Sequence, residues 1–276
     1  NLTFVSPLLI GPGEIVTNYG SVDLGSDLQG WNATSTWINA ENSTLILFDD
    51  FINGTVITSA TGNTVAFGGT ASNNVPRSQN DLYYHVIIEG SQIKTLMADV
   101  EIQGDLSISS TLNSGNFDIT LGGSWSNSGT FTEGTGRVIL NGSGDQSLSN
   151  PIGETFYELE ISKSTGSVIL SNNVTVSNTL NLNGGFVDAG TNIFELGTGT
   201  GNVGSLNFTS GRIQGKFMRW INTPGSLLYP VGNSSYYRPA SISFNNLTGG
   251  SLTTEFVNSS PGSNGLPLDD AGTTIS

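Results

Sequence analysis

The chain has no cysteine, one histidine (His85), and only eight Lys and Arg against 22 Asp and Glu in 276 residues. Without Cys there is no disulfide framework, thiolate zinc site, iron–sulfur cluster or cysteine nucleophile. A single His excludes His-rich metal sites and leaves any Ser–His–Asp arrangement resting on one residue. Eight cations spread singly through a chain of net charge −14 cannot form the basic stripe that phosphate backbones require, so nucleic acid is not expected as a partner. No run of 18 apolar residues occurs, so no helix could span a bilayer, and membrane insertion is not expected. Charged residues make up 11% and hydrophobic residues 36% of the chain, below the roughly 25% and 45–50% of ordinary globular domains.

What fills the chain instead is Gly (37), Ser (36), Thr (30) and Asn (29), together 132 of 276 residues. Ser, Thr and Asn compete for backbone hydrogen bonds and Gly loses the most entropy on ordering, so helix propensity is poor almost everywhere. The same residues suit tight turns, and here they separate short runs of Val, Ile, Leu and Phe. An all-β protein of many short strands follows. The start at Asn1 without Met, and the stop within Gly272-Thr273-Thr274-Ile275-Ser276 as an alternating run begins, read as a segment of something longer.

Self-similarity is strong. At an offset of 73, Val65 and Phe67 are matched by Val138 and Leu140, and Tyr84, Val86 and Ile88 by Tyr157, Leu159 and Ile161. Val100, Ile102, Leu106 and Ile108 are matched at 74 by Val174, Val176, Leu180 and Leu182, and Ile119 to Gly122 at 75 by Phe194 to Gly197. Within these stretches apolar and polar residues alternate, as in Val100-Glu101-Ile102, for three to five residues before a turn residue intervenes. Strands so short suit a solenoid, where each is bonded to the coils above and below. Val100, Ile119 and Val138 are evenly spaced, and a step of roughly 19 residues suits one coil of a solenoid. A ~74-residue unit would then hold three to four coils. Val, Ile, Leu and Phe would stack inside, with Gly at corners needing φ > 0 and Asn forming hydrogen-bonded ladders there. From Gly215 onward strands lengthen and aromatics become denser, around Lys216 to Ile221, Tyr229-Pro230-Val231-Gly232 and Tyr236-Tyr237-Arg238-Pro239. The fold expected is therefore all-β: a right-handed parallel β-solenoid (β-helix) followed by a small C-terminal β module or cap. Its divisions are 1–60 (an N-terminal β segment or first coils), 61–214 (solenoid with the ~74-residue repeat) and 215–276 (C-terminal module).

The run Gly134 to Gly142, with Gln146 and Thr155-Phe156-Tyr157-Glu158-Leu159-Glu160-Ile161, resembles repeat segments of large secreted surface proteins of Bacteroidota. So do Ser124 to Phe131 and Val174 to Leu182, and the tail motifs Gly215 to Trp220, Tyr229 to Gly232, Tyr237-Arg238-Pro239 and Gly265-Leu266-Pro267-Leu268 resemble the module that follows those coils. The resemblance covers about residues 60–276 and implies export by the type IX route, a cell-surface location, and a role as adhesin or gliding-associated filament.

Parallel β-helices also carry polysaccharide lyases and hydrolases, which need a carboxylate pair, or a basic residue beside carboxylate-bound Ca²⁺, in one groove. The candidates are Asp49-Asp50, Asp99/Glu101/Asp105, Glu158/Glu160 and Asp269-Asp270. The positions matching Glu158 and Glu160 one repeat earlier are His85 and Ile87, so no acidic groove builds up, and solvated outer-face carboxylates are preferred over catalysis or Ca²⁺ binding. His85 reads as an outward polar residue. Arg219 beside Trp220 and Arg238 beside Tyr237 could present a guanidinium to a glycan, but pairing with an acid such as Glu255 is preferred. Trp31, Trp37, Trp125 and Trp220 are too scattered to read as a sugar platform. Thr34/Thr36, Thr130/Thr132 and Thr198/Thr200 are too few and unphased for an ice-binding array. Sequons such as those at Asn32, Asn42, Asn173 and Asn207 arise readily in such a composition. The expectation is a non-enzymatic structural or adhesive segment of a secreted bacterial surface protein, with no catalytic, cofactor or metal residues. Its expected partners are neighbouring domains of the same chain or identical subunits end to end, with surface glycans as a further candidate. The alternative is a carbohydrate-active β-helix, a lyase or glycan-binding module.

Overall fold

A computed structural model describes residues 1–70, 72–75 and 79–257. Asp269-Asp270 and the Gly265–Leu268 motif lie outside these residues. The described chain is a β-solenoid of about ten turns with a few strands at its C-terminal end. A 3-10 turn at Gln79–Asp81 is the one helical element among the described residues.

Each full coil lays three short strands on three faces. In one of them His85–Ile88 lies on face I, Ile93–Leu96 on face II and Val100–Ile102 on face III. Face I pairs Val22 with Leu45, Leu45 with Val65, Val65 with Val86, Val86 with Leu106 and Leu106 with Trp125, all parallel. Face III pairs Val100 with Ile119, Ile119 with Val138, Val138 with Leu159 and Leu159 with Leu180. On face II the ladder runs Leu8–Ile10, Leu28–Gly30 and Phe51–Ile52, then Asn73–Val75 to Thr130–Thr132, then 154–156 onward. The first junction between these segments is bridged by a side chain, the Asn74 N–H donating to Asp50 at 3.1 Å.

The alternation of the sequence sets which side chains go inside. Strand burial repeats as half-buried then buried in Thr44–Leu47, His85–Ile88 and Arg137–Leu140. The inward residues form one apolar column running from Ile10 to Val231. The step from Val100 to Ile119 to Val138 is one coil at a time, as the register shows, while the step from Leu180 to Leu206 is longer because that coil carries a longer corner. The offset of 73 to 75 carries Val65 on face I to Val138 on face III, and Val100 on face III to Val174 on face II. It therefore spans three turns and two further faces, and the unit of structure is the single coil.

Corners bring backbones together where a side chain has no room. A Cβ on Gly142 would sit 1.9 Å from the Gly122 carbonyl oxygen, and one on Gly30 would sit 1.8 Å from that of Asn53. Asparagine ladders appear inside the first coils. Asn18 donates from Nδ2 to Asn39 Oδ1 at 2.9 Å and to the Thr44 carbonyl, and Asn39 donates to the Thr64 carbonyl, with Asn18, Asn39 and Asn63 all buried.

Parallel pairing continues through 216–219, which lies on the 193–196 rung. Beyond it the direction changes. Gly225–Tyr229 and Ala240–Phe244 form an antiparallel hairpin, and Gly250–Thr254 runs antiparallel to 217–221. Val231 bridges Ile213 and closes the last rung of face I, while Tyr229 is fully buried against Phe217.

Candidate functional site

The outward polar residues singled out above act mainly as caps on the coil above. His85 Nδ1 accepts from the Asp105 N–H at 2.9 Å, which requires that nitrogen to be unprotonated. Asp105 Oδ1 accepts from the Ser124 N–H, Asp99 Oδ1 from the Asp118 N–H, Asp118 Oδ1 from the Arg137 N–H and Asp145 Oδ1 from the Ser167 N–H. These side chains satisfy backbone donors at corners, where the ladder is interrupted. Glu158 and Glu160 are engaged rather than freely solvated. Glu160 takes Arg137 Nη1 at 2.7 Å and Asn183 Nδ2 at 3.0 Å, Glu158 takes Asn178, and Arg137 also reaches Asp118 at 3.1 Å. Although partial burial works against its charge, hydrogen bonding to Asp118 and the nearby Glu160 and Glu158 hold the Arg137 guanidinium above its ordinary value. Arg137 thus clamps Glu160 directly, while Glu158 is held by the Asn178 amide.

Four charged side chains, none of them read as inward from the sequence, point into the core. Lys94, Glu154, Lys163 and Arg219 are all buried. Glu154 Oε2 accepts from Trp125 Nε1 at 2.7 Å and Asn127 Nδ2 at 2.8 Å, and burial raises its carboxyl above the ordinary range despite these donors. Lys163 donates to the Gly142 and Gly144 carbonyls and to Gln146 Oε1, and burial lowers its ammonium. Burial also lowers Lys94, opposed by the charge of Asp49. Arg219 donates to the Leu228 carbonyl and lies over the Tyr229 ring at 5.7 Å, so the expected pairing with Glu255 is replaced by a carbonyl and a ring. Sequence did carry a signal for all four: each stands two positions from an inward apolar residue, Leu96, Phe156, Ile161 and Phe217 respectively.

The tryptophans share no face. Trp37 and Trp125 are in the core, the latter edge-on to Phe131 at 4.8 Å and Phe156 at 5.2 Å, Trp31 is exposed, and Trp220 donates to Glu195 at 2.6 Å. Arg238 lies over Tyr236 at 5.1 Å, while Tyr237 stacks on Phe208. Among the described residues, no group of three or more His, Asp or Glu is placed to hold a metal ion.

The two ends differ. At the N-terminal end Leu2–Phe4, Leu8–Ile10 and Ile15–Asn18 each pair on one side only, with the coil that follows. They surround a concavity of about 430 Å³ whose lining includes Leu2, Phe4, Leu8, Val16, Val22 and Trp37. Leu2, Val5, Leu9, Ile15 and Tyr19 are exposed there. The C-terminal end is covered by the hairpin and by Gly250–Thr254.

Compared with protein-family models, curated proteins and solved structures, the chain has no match. Its chemistry is therefore read from this geometry alone: stacked backbone ladders, clamped surface charges and an apolar concavity beside the first coil.

Proposed function

We propose that this chain is a non-enzymatic structural or adhesive segment of a large secreted bacterial surface protein, serving as a stiff β-solenoid stalk or surface filament. The observation that carries the reading is the single apolar column running through about ten coils, with side-chain caps at the corners. Stacked at the strand spacing of about 4.8 Å, ten coils give a rod roughly 50 Å long. The acidic surface keeps such rods soluble and apart. An extracellular, surface location fits a chain with few charges and no Cys, and the Bacteroidota-like repeat segments support the same placement.

Mechanical pulling between the two ends tests the stalk role. Unwinding coil by coil should lengthen the chain in steps of about 70 Å, since roughly 20 residues at about 3.4 Å each are released. Extension at negligible force without steps would remove the role. Incubation with acidic polysaccharides separates the carbohydrate-active alternative: no cleavage is expected, and cleavage abolished by Glu160→Gln would favour it.

A further inference from the structure

We propose that a shallow pocket beside a corner of the coils, where the last parallel rungs meet the segment after Gly250–Thr254, binds one neutral sugar ring of a surface glycan. The inference rests on the adhesive side of the reading above and names a site and a ligand class for it. The pocket has a volume of about 290 Å³. Small-molecule sites run from roughly 300 to 1,000 Å³, so this one suits a single six-membered ring and not an extended chain. Its floor is a glycine corner. Gly190 and Gly215 stand at the same corner of successive rungs with φ of 54° and 85°, and a Cβ on Gly215 would sit 2.9 Å from the Gly190 carbonyl oxygen. Glycine at both leaves the floor free of side chains.

Around this floor the polar groups are already oriented. Asp188 Oδ1 accepts from the Gly190 N–H at 2.9 Å and from Gln214 Nε2 at 3.3 Å, which fixes the Gln214 amide and leaves its Oε1 as an acceptor. Asn233 Oδ1 accepts from the Ser235 N–H at 2.9 Å and the Tyr236 N–H at 2.8 Å, which fixes the second amide and leaves its Nδ2 as a donor. Glu255 is exposed, and among the described residues its carboxylate has no hydrogen-bond or ion-pair partner. Phe256 and Val257 complete the wall with apolar surface. A sugar ring has the complementary make-up, an apolar face of C–H groups and an edge of hydroxyls that each donate and accept. The C–H face fits against Phe256 and Val257, while the hydroxyls donate to Glu255 and Gln214 Oε1 and accept from Asn233 Nδ2. Charge selects among sugars: the lining holds Glu255 and no Lys or Arg, with Asp188 behind Gln214, so an anionic ring is repelled.

Titration of the full chain with methyl glucoside, methyl galactoside and methyl mannoside, followed on the side-chain amide NMR signals of Gln214 and Asn233, tests this. At least one of the three should move both signals with a Kd of about 1 mM, the affinity expected of so small a ligand in a shallow site. Glucuronate should move neither. Glu255→Ala alters an exposed position, and Asn233→Asp keeps the Oδ1 acceptor of its turn. Each should weaken binding about tenfold, read on the Gln214 signal. Silence with all three glycosides overturns the site, and so does binding unchanged in both variants or matched by glucuronate. Pulling judges the stalk separately: a chain that binds no glycoside yet unwinds in steps overturns the site and leaves the stalk reading intact.

Discussion

At the scale of single residues, the inward charges are the informative ones, because each must be satisfied where water is absent. Glu154 is held by Trp125, Asn127 and, at 3.4 Å, Asn150. Glu154→Leu would strand these donors at a cost of about 1–3 kcal/mol for each one left without a partner. Glu154→Gln isolates the charge. Burial raises the carboxyl, so the folded chain holds that proton more tightly than the unfolded chain does. The stabilisation it contributes is complete below the ordinary glutamate range near ~4.3 and is lost as pH rises through the raised folded value. Unfolding free energies of wild type and Glu154→Gln should therefore diverge across that window, with the glutamine chain gaining relative stability as pH rises. Denaturant titrations at a series of pH values check this, and parallel pH profiles would show that Glu154 titrates alike in both states. Lys163→Met should cost about 3 kcal/mol, since the Gly142 and Gly144 carbonyls and Gln146 Oε1 lose a charged donor.

At the scale of strands and corners, much was legible because a coil repeats one simple rule. Period-2 alternation around Val100 and Ile119 marked inward positions, and the step between them gave the coil length that the register shows. The same simplicity hid the faces. All three present alternating apolar residues, so self-similarity at offsets of 73 to 75 aligned Val65 with Val138 across different faces. Lys94 and Glu154 belong to no motif, and Leu96 and Phe156 two positions away are what mark their inward parity. Corner glycines can be ranked in advance by space. Gly142→Ala should destabilise by about 1–3 kcal/mol, the usual cost of overpacking, because the obstructing Gly122 oxygen belongs to backbone. Gly144→Ala, where a Cβ would meet nothing within 4 Å, should change the thermal midpoint little, and equal losses at the two positions would refute the steric account.

At the scale of the whole molecule, a solenoid is a one-dimensional stack in which each coil is stabilised by the coils on either side. Stability should then vary along the axis with the number and quality of those neighbours. The stretch 154–196 is flanked on both sides and contains two long strands, Glu154–Leu170 and Val174–Leu196, that pair along each face and shift register at the corners. Among the described residues the strands of the first coil pair only with the coil that follows, and Leu2, Leu9 and Ile15 are exposed. Amide hydrogen exchange of the dilute chain should accordingly show the lowest protection in strands Leu2–Phe4, Leu8–Ile10 and Ile15–Asn18, and the highest in 154–196. Uniform protection from end to end in the dilute chain would mean that the rod opens as one cooperative unit, and the nearest-neighbour description of its stability would then be wrong.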